Sequence, residues 1–257
     1  MAKVMRTALD PSERRIFART LVFSVVLFVV VFAWSYGPVT WAYWSYKPKE
    51  GDLLFQSLPK SLLAKMMEGA SESQYSHCGI IAKRDGEWVV YEAHQKVRAT
   101  PLLEVIFRGN RYGFAIYRLR PDKQTHIEAM LDYVQQQLDK PFDVRYQMDD
   151  EELYSSELIY KAYRQASGGE ALGKLVPLGQ LRWKPYKETI RFFERGPVPL
   201  RREWITPKNL SKAEQLEKVF VHRIDVEQPY VAPVAAETHS NAEKGISSQD
   251  AAPLIIN

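Results

Sequence analysis

The longest uninterrupted pattern in the chain is apolar. From Thr20 to Tyr46 there is no Asp, Glu, Lys or Arg, and the run includes LVFSVVLFVVVFAW. At about 1.5 Å of rise per residue, a helix over this stretch is long enough to cross the roughly 30 Å hydrocarbon core of a bilayer. Beyond it the pattern changes to short alternations and helical stripes. GDLLF (Gly51 to Phe55) reads as a strand leaving a turn, and PKSLLAKMMEGA places Leu62, Leu63, Met66 and Met67 at helical spacing. SHCGIIAK and EWVVYEAH are β-rich runs joined through Asp85-Gly86, a strong hairpin signal, and FAIYRL (Phe114 to Leu119) is a further strand. Ile127, Leu131, Val134 and Leu138 recur every three or four residues between Gln124 and Asp139, which predicts an amphipathic helix. After the polar connection KPFDVRYQMDDE, a second helix is expected over Tyr154 to Ala166, and a short one over KETIRFFE.

These boundaries divide the chain into a 1–19 N-terminal segment, a 20–46 anchor, a folded domain over 47–227 and a 228–257 tail. The tail is rich in Ala, Pro and Ser without periodicity, and is expected to be disordered. A signal peptide competes with the anchor reading, but the apolar stretch exceeds a typical signal core and no small-residue cleavage site follows it. Trp34, Tyr36, Trp41, Tyr43 and Trp44 gather on its C-terminal side, as in an interfacial aromatic belt. Lys3, Arg6, Arg14, Arg15 and Arg19 precede the run and only Lys47 and Lys49 follow closely, so the N-terminus is expected in the cytoplasm. The folded domain then lies across the membrane, which in a bacterium is the periplasm.

Net charge is +4, from 35 basic and 31 acidic residues dispersed along the chain. No dense Lys/Arg cluster of the kind a nucleic-acid surface uses is present, so nucleic acid is not expected as a partner. Cys78 is the single cysteine, which excludes an intramolecular disulfide and a cysteine-based zinc cage.

The hairpin carries the first candidate chemistry. With a two-residue turn at Asp85-Gly86, Arg84 faces Glu87, Gly79 faces Glu92 and His77 faces His94. Alternation along the strand then puts His77, Glu92 and His94 on one face and Cys78 on the other. His77 and Glu92 become diagonal neighbours, about 7–8 Å apart at the backbone, within reach of their side chains. The pair is a satisfied polar contact, a base with its orienting acid, or, with His94, two imidazoles and a carboxylate around a metal. Cys78 points away from His77 and reads as a small buried hydrophobe.

In YSSELIYKAYRQA, Leu158, Ile159 and Ala162 define the inward face, and Ser155 shares it. A hydroxyl at a helix start sits beside unpaired N–H groups that can stabilise an oxyanion, or it serves simply as the cap. GDLLF, SHCGII, YEAH, DKPFDVRYQ and YSSELIY, in that order, together resemble the permuted papain-like amidases of the YaeF/YiiX group, relatives of the NlpC-type cell-wall peptidases. The likeness spans about 51 to 210 and includes ITPKNL. It implies an α+β, circularly permuted papain-like (NlpC-type) fold with an antiparallel sheet packed on helices, to which the apolar run of residues 20–46 adds one preceding transmembrane helix. It also implies a base at His77, an orienting acid at Glu92 and the nucleophile at Ser155, in a cleft between the His77/Glu92 sheet face and the start of the Ser155 helix. The family motif resembles Tyr-Cys-Ser-Glu-Leu, so serine stands here where the family has cysteine. A serine hydrolase, an inactive binding relative and an introduced Cys→Ser change each account for that. The implied chemistry is hydrolysis of an amide or ester, in a cell-wall peptide or a lipid-like substrate, without a cofactor.

Overall fold

The structure is a computed structural model of the chain, and it describes residues 10–59 and 61–224. Lys3, Arg6 and the tail expected from 228 onward lie outside the described residues. The chain divides into two compact units, Met1–Lys47 and Pro48–Asn257.

Among the described residues the first unit contains one helix, α1 (Pro11–Ser45). Its segment Arg15–Trp34 has a mean hydropathy of 2.6 over 20 residues and none of it is buried, so it is long and apolar enough to cross a membrane. The hydropathy of this run and the absence of charge from Thr20 to its end at Trp34 are the whole physical case for a span.

The second unit is built on an antiparallel sheet. In chain order its elements are β1 (Leu53–Gln56), α2 (Leu62–Ser71), β2 (His77–Arg84), β3 (Glu87–His94), β4 (Lys96–Pro101), α3 (Leu102–Arg108), β5 (Phe114–Leu119), α4 (Ile127–Gln136), α5 (Ser155–Ala166), β6 (Val176–Pro177), α6 (Lys187–Glu194), β7 (Glu203–Trp204), α7 (Pro207–Ser211) and β8 (Leu216–His222). Six strands form one sheet in the order β4-β3-β2-β1-β5-β8, and β6 and β7 make a separate two-stranded ribbon. Every pairing in the large sheet is antiparallel.

The two faces of this sheet have different covers. Leu53, Phe55, Cys78, Ile80, Tyr91 and Ala93 point one way, into a core shared with Leu131 and Val134 of α4 and Leu158, Ile159 and Ala162 of α5. Residues of the opposite parity, among them Leu54, Ile81 and Val90, are buried together with Leu102, Val105 and Ile106 of α3, which packs on β3 and β4. The Asp85-Gly86 turn has positive φ at both residues (52° and 85°), as a two-residue hairpin with right-handed strand twist requires, and Arg84 does face Glu87.

The helix over Gln124 to Asp139 is shorter than its hydrophobic stripe predicts. Pro121–His126 is a 3-10 segment and the α-helix runs only over Ile127–Gln136. Three elements of the large sheet and its cover have no counterpart in the sequence reading: β4, α3 and β8.

Candidate active site

The register places polar side chains in rows across the α3-facing side of the sheet. Gln56 pairs with His77, and Leu54 with Gly79, while Glu92 pairs with Arg98. A Cβ at Gly79 would lie 2.3 Å from Val90 Cγ1 and 3.3 Å from Glu92 Cβ, so the glycine leaves the room in which Glu92 leans toward β2. The diagonal closes: His77 Nε2 lies 2.6 Å from Glu92 Oε2, with both residues buried.

Glu92 is fully buried and held by three more side chains. Thr100 donates to its Oε1 at 2.7 Å, Arg108 donates to Oε2, and Arg98 Nε lies 3.5 Å from Oε1. Burial alone would raise the carboxyl's pKa, but His77 and Arg108 outweigh it and keep the group below the usual carboxylate range. A carboxylate that stays ionised can only accept, so His77 carries its hydrogen on Nε2 and keeps the lone pair on Nδ1. Burial pushes the His77 pKa below its ordinary value of 6.5, against the pull of Glu92 and with the push of Arg108 and Arg98. His94, whose ring centroid lies 5.9 Å from that of His77, is pushed down to about 3, first by burial and then by His77 and Arg108. Both imidazoles are therefore neutral in the folded protein near neutral pH.

The same contacts decide the metal reading. Each oxygen of Glu92 already accepts from a side chain, and two guanidinium groups stand where a cation would have to approach. His77, Glu92 and His94 do not fit as a metal-ligand set, and among the described residues no group of three or more His, Cys, Asp or Glu side chains is arranged to hold an ion.

Ser155 is the first residue of α5, and Tyr154 is the cap. Neither serine serves as the cap. Glu157 reaches back to the backbone N–H of Tyr154 at 3.2 Å, the return half of a capping box, and Ser156 Oγ donates to the Ile205 carbonyl at 2.7 Å. The Ser155 hydroxyl touches the Cys78 thiol. Burial raises that thiol's pKa well above its ordinary value, which keeps it protonated and inert.

One expectation needs correction. The Ser155 helix does not cover the His77/Glu92 face of the sheet. It packs on β2 and β3 from the Cys78 side. Ser155 and His77 nevertheless line one pocket, because His77 is the first residue of its strand and the end of a sheet is open to both faces. Leu58, Leu63, Ala64, Met67 and Phe142 give this pocket apolar walls, and Arg108 and His94 lie on its rim. Of the residues holding Glu92, the sequence reading missed Arg98, Thr100 and Arg108. The alternation of positions 98 and 100 carries the signal for the first two, once Lys96–Pro101 is recognised as a strand.

A model of the family described as permuted papain-like amidase enzyme, YaeF/YiiX, C92 family, matches residues 47–220. The chain is 26% identical over 204 residues to a protein of Escherichia coli strain K12 described as uncharacterized protein YiiX, a match that covers 78% of this chain and 94% of the relative. A crystal structure described as metalloprotein yiiX from Escherichia coli O157:H7 superposes with a TM-score of 0.62 at 25% identity, covering 69% of this chain and 99% of that one.

Proposed function

Because the chain belongs to the permuted papain-like amidase family across residues 47–220, we propose that its folded unit is an acyl hydrolase in which Ser155 attacks, His77 takes the proton and Glu92 holds the imidazole. The observation that carries this reading is the use of the two imidazole nitrogens. Nε2 is committed to Glu92 at 2.6 Å, and the remaining nitrogen belongs to a ring that lines the same pocket as Ser155, whose hydroxyl meets only the weakly hydrogen-bonding Cys78 thiol among the side chains described.

Ser155 Oγ bonds to the carbonyl carbon of an amide or ester as its proton passes to His77 Nδ1. The carbonyl oxygen gains the negative charge, and the backbone N–H groups in the first turn of α5, that of Ser155 among them, are donors without an intrahelical acceptor that can face it. The imidazolium formed at His77 is stabilised by the Glu92 carboxylate. It returns the proton to the leaving amine or alcohol when the tetrahedral carbon collapses to an acyl-serine. Water, deprotonated by the same nitrogen, then releases the acid and restores the hydroxyl. No step calls on a metal, in keeping with the occupied oxygens of Glu92.

A serine needs this arrangement more than a cysteine does. A thiolate can be formed in advance beside an imidazolium, whereas an alkoxide cannot, so the base has to be neutral when the substrate arrives. The buried, neutral His77 supplies that condition. The consequence is a pH profile. The base is lost as pH falls through the folded pKa of His77, which lies below 6.5, so the acid limb of kcat/KM for an aryl ester is expected to have its midpoint below pH 6.5. A midpoint at pH 7 or above, or no turnover over buffer at any pH, contradicts the assignment.

The reading includes placement. Helix α1 serves as the anchor in this proposal, and the Lys/Arg excess ahead of Thr20 supports a hydrolase unit on the far side of a bacterial inner membrane. Protease added to intact spheroplasts is expected to degrade the unit after Lys47, and protection until lysis would overturn the orientation.

A further inference from the structure

The pocket holding Ser155 and His77 has a neighbour. Pro59 and Arg108 line both it and a second, open groove whose other walls include Phe107, Asn110, Arg111, Tyr112 and Arg223. Three arginines line this groove, and among the described residues neither it nor the Ser155 pocket has a carboxylate in its wall.

Arg108 joins the two. Its Nη2 donates to Glu92, while Nε and Nη1 are buried and have no hydrogen-bond partner among the described residues. Unpartnered buried donors of this kind are destabilising, more so when charged, and an anionic acceptor placed against them removes that cost. Arg111 and Arg223 are exposed at the same groove, and both hold left-handed backbone conformations (φ 51° for each). Neither is in an ion pair among the described residues. A low-dielectric wall lined with charge of one sign concentrates ligands of the opposite sign.

On one side of Arg108, then, lie apolar walls and the serine, and on the other a cationic groove. Resting on the assignment of Ser155 as the acylated residue, we infer that the substrate is an anionic amphiphile: an acyl chain seated against Leu58, Leu63, Ala64 and Met67, joined through its amide or ester to a group whose carboxylate or phosphate lies against Arg108, Arg111 and Arg223. The anion is recognised by arginine because the planar guanidinium matches two oxygens of either group at once. A substrate of this kind is presented by a membrane surface, where an anchored enzyme meets it by lateral diffusion.

The test measures binding, so that it stands apart from turnover. The full-length Ser155→Ala protein in nonionic detergent is titrated by calorimetry with N-dodecanoylglycine, with dodecyl phosphate and with neutral N-dodecanoylglycinamide. The two anions are expected to bind at least 10-fold more tightly than the amide. That preference should shrink with added salt and disappear in Arg111→Asn/Arg223→Asn, where asparagine tolerates the left-handed backbone. Lysine at both positions should restore part of it. Equal binding of the three ligands, or a preference indifferent to the double substitution, overturns the groove assignment. Inorganic phosphate alone separates the sources of the anion: failure to compete at millimolar concentration supports an amphiphile, and binding as tight as that of dodecyl phosphate refutes the acyl half of the inference. Failure of the wild-type protein to turn over any ester refutes the hydrolase reading and leaves these binding outcomes as they are.

Discussion

Ser155→Ala and His77→Ala are each expected to lower ester and amide hydrolysis by on the order of 10⁴- to 10⁶-fold, and the double variant to be no slower than either alone. The lack of additivity is the diagnostic part. A nucleophile and its base form one proton-transfer unit, so removing the second after the first costs nothing further. Ser155 neither caps α5 nor holds the Ile205 strand connection, since Glu157 and Ser156 do that. Its truncation should therefore leave the melting temperature within about 2 °C of wild type, in keeping with the small effect of removing a hydroxyl that has no structural hydrogen bond to the backbone. A loss of activity accompanied by unfolding would point to a structural role. Additive losses in the double variant would separate the two residues chemically. Comparison of kcat/KM and thermal melts for the four proteins distinguishes these cases.

Glu92 is the position where the largest stability change is expected. Glu92→Ala removes the anion that Arg108, Arg98 and the buried His77 share and leaves all three without it. Breaking a buried ion pair from one side typically destabilises by about 3–5 kcal/mol, which for a unit of this size lowers the melting temperature by on the order of 10 °C. Glu92→Gln keeps the shape and one acceptor, and is expected to cost less stability. It should still lower kcat by about 10³- to 10⁴-fold, because an amide accepts poorly from His77 Nε2 and does not stabilise the imidazolium. Loss of stability without loss of catalysis in the Gln variant would make Glu92 a purely structural acid.

The hairpin was legible because its physics is local. Asp85-Gly86 selects a two-residue turn, the turn sets the register, and strict alternation delivers His77 and Glu92 to one face. The partners of Glu92 were not legible for a reason that follows from the same logic. β4 reads KVRATP, with only Val97 and Ala99 apolar between Lys, Arg, Thr and Pro, so its identity as a strand depends on what it covers. Arg98 and Thr100 lie on it within reach of Glu92. α3, with seven residues, is too short to reveal a 3.6 period. The stripe on α5 predicted a buried face correctly, but periodicity does not say which side of a sheet a helix will choose. The contact of Ser155 with Cys78 records that choice. From sequence alone either serine of the pair can be the cap, and only the fold shows that Ser156 donates to the Ile205 carbonyl while Ser155 meets the Cys78 thiol.

The resemblance read from the sequence implies a cysteine where this chain has Ser155, so the identity of the acylated atom is decisive. The most direct measurement is peptide mass spectrometry of the full-length protein after treatment with a fluorophosphonate. The adduct is expected on Ser155 in the wild-type chain and absent from His77→Ala. No adduct on the wild type, with labelling by a thiol-reactive acylating probe appearing only in Ser155→Cys, would contradict a working serine nucleophile and leave this chain as a silent member of its family.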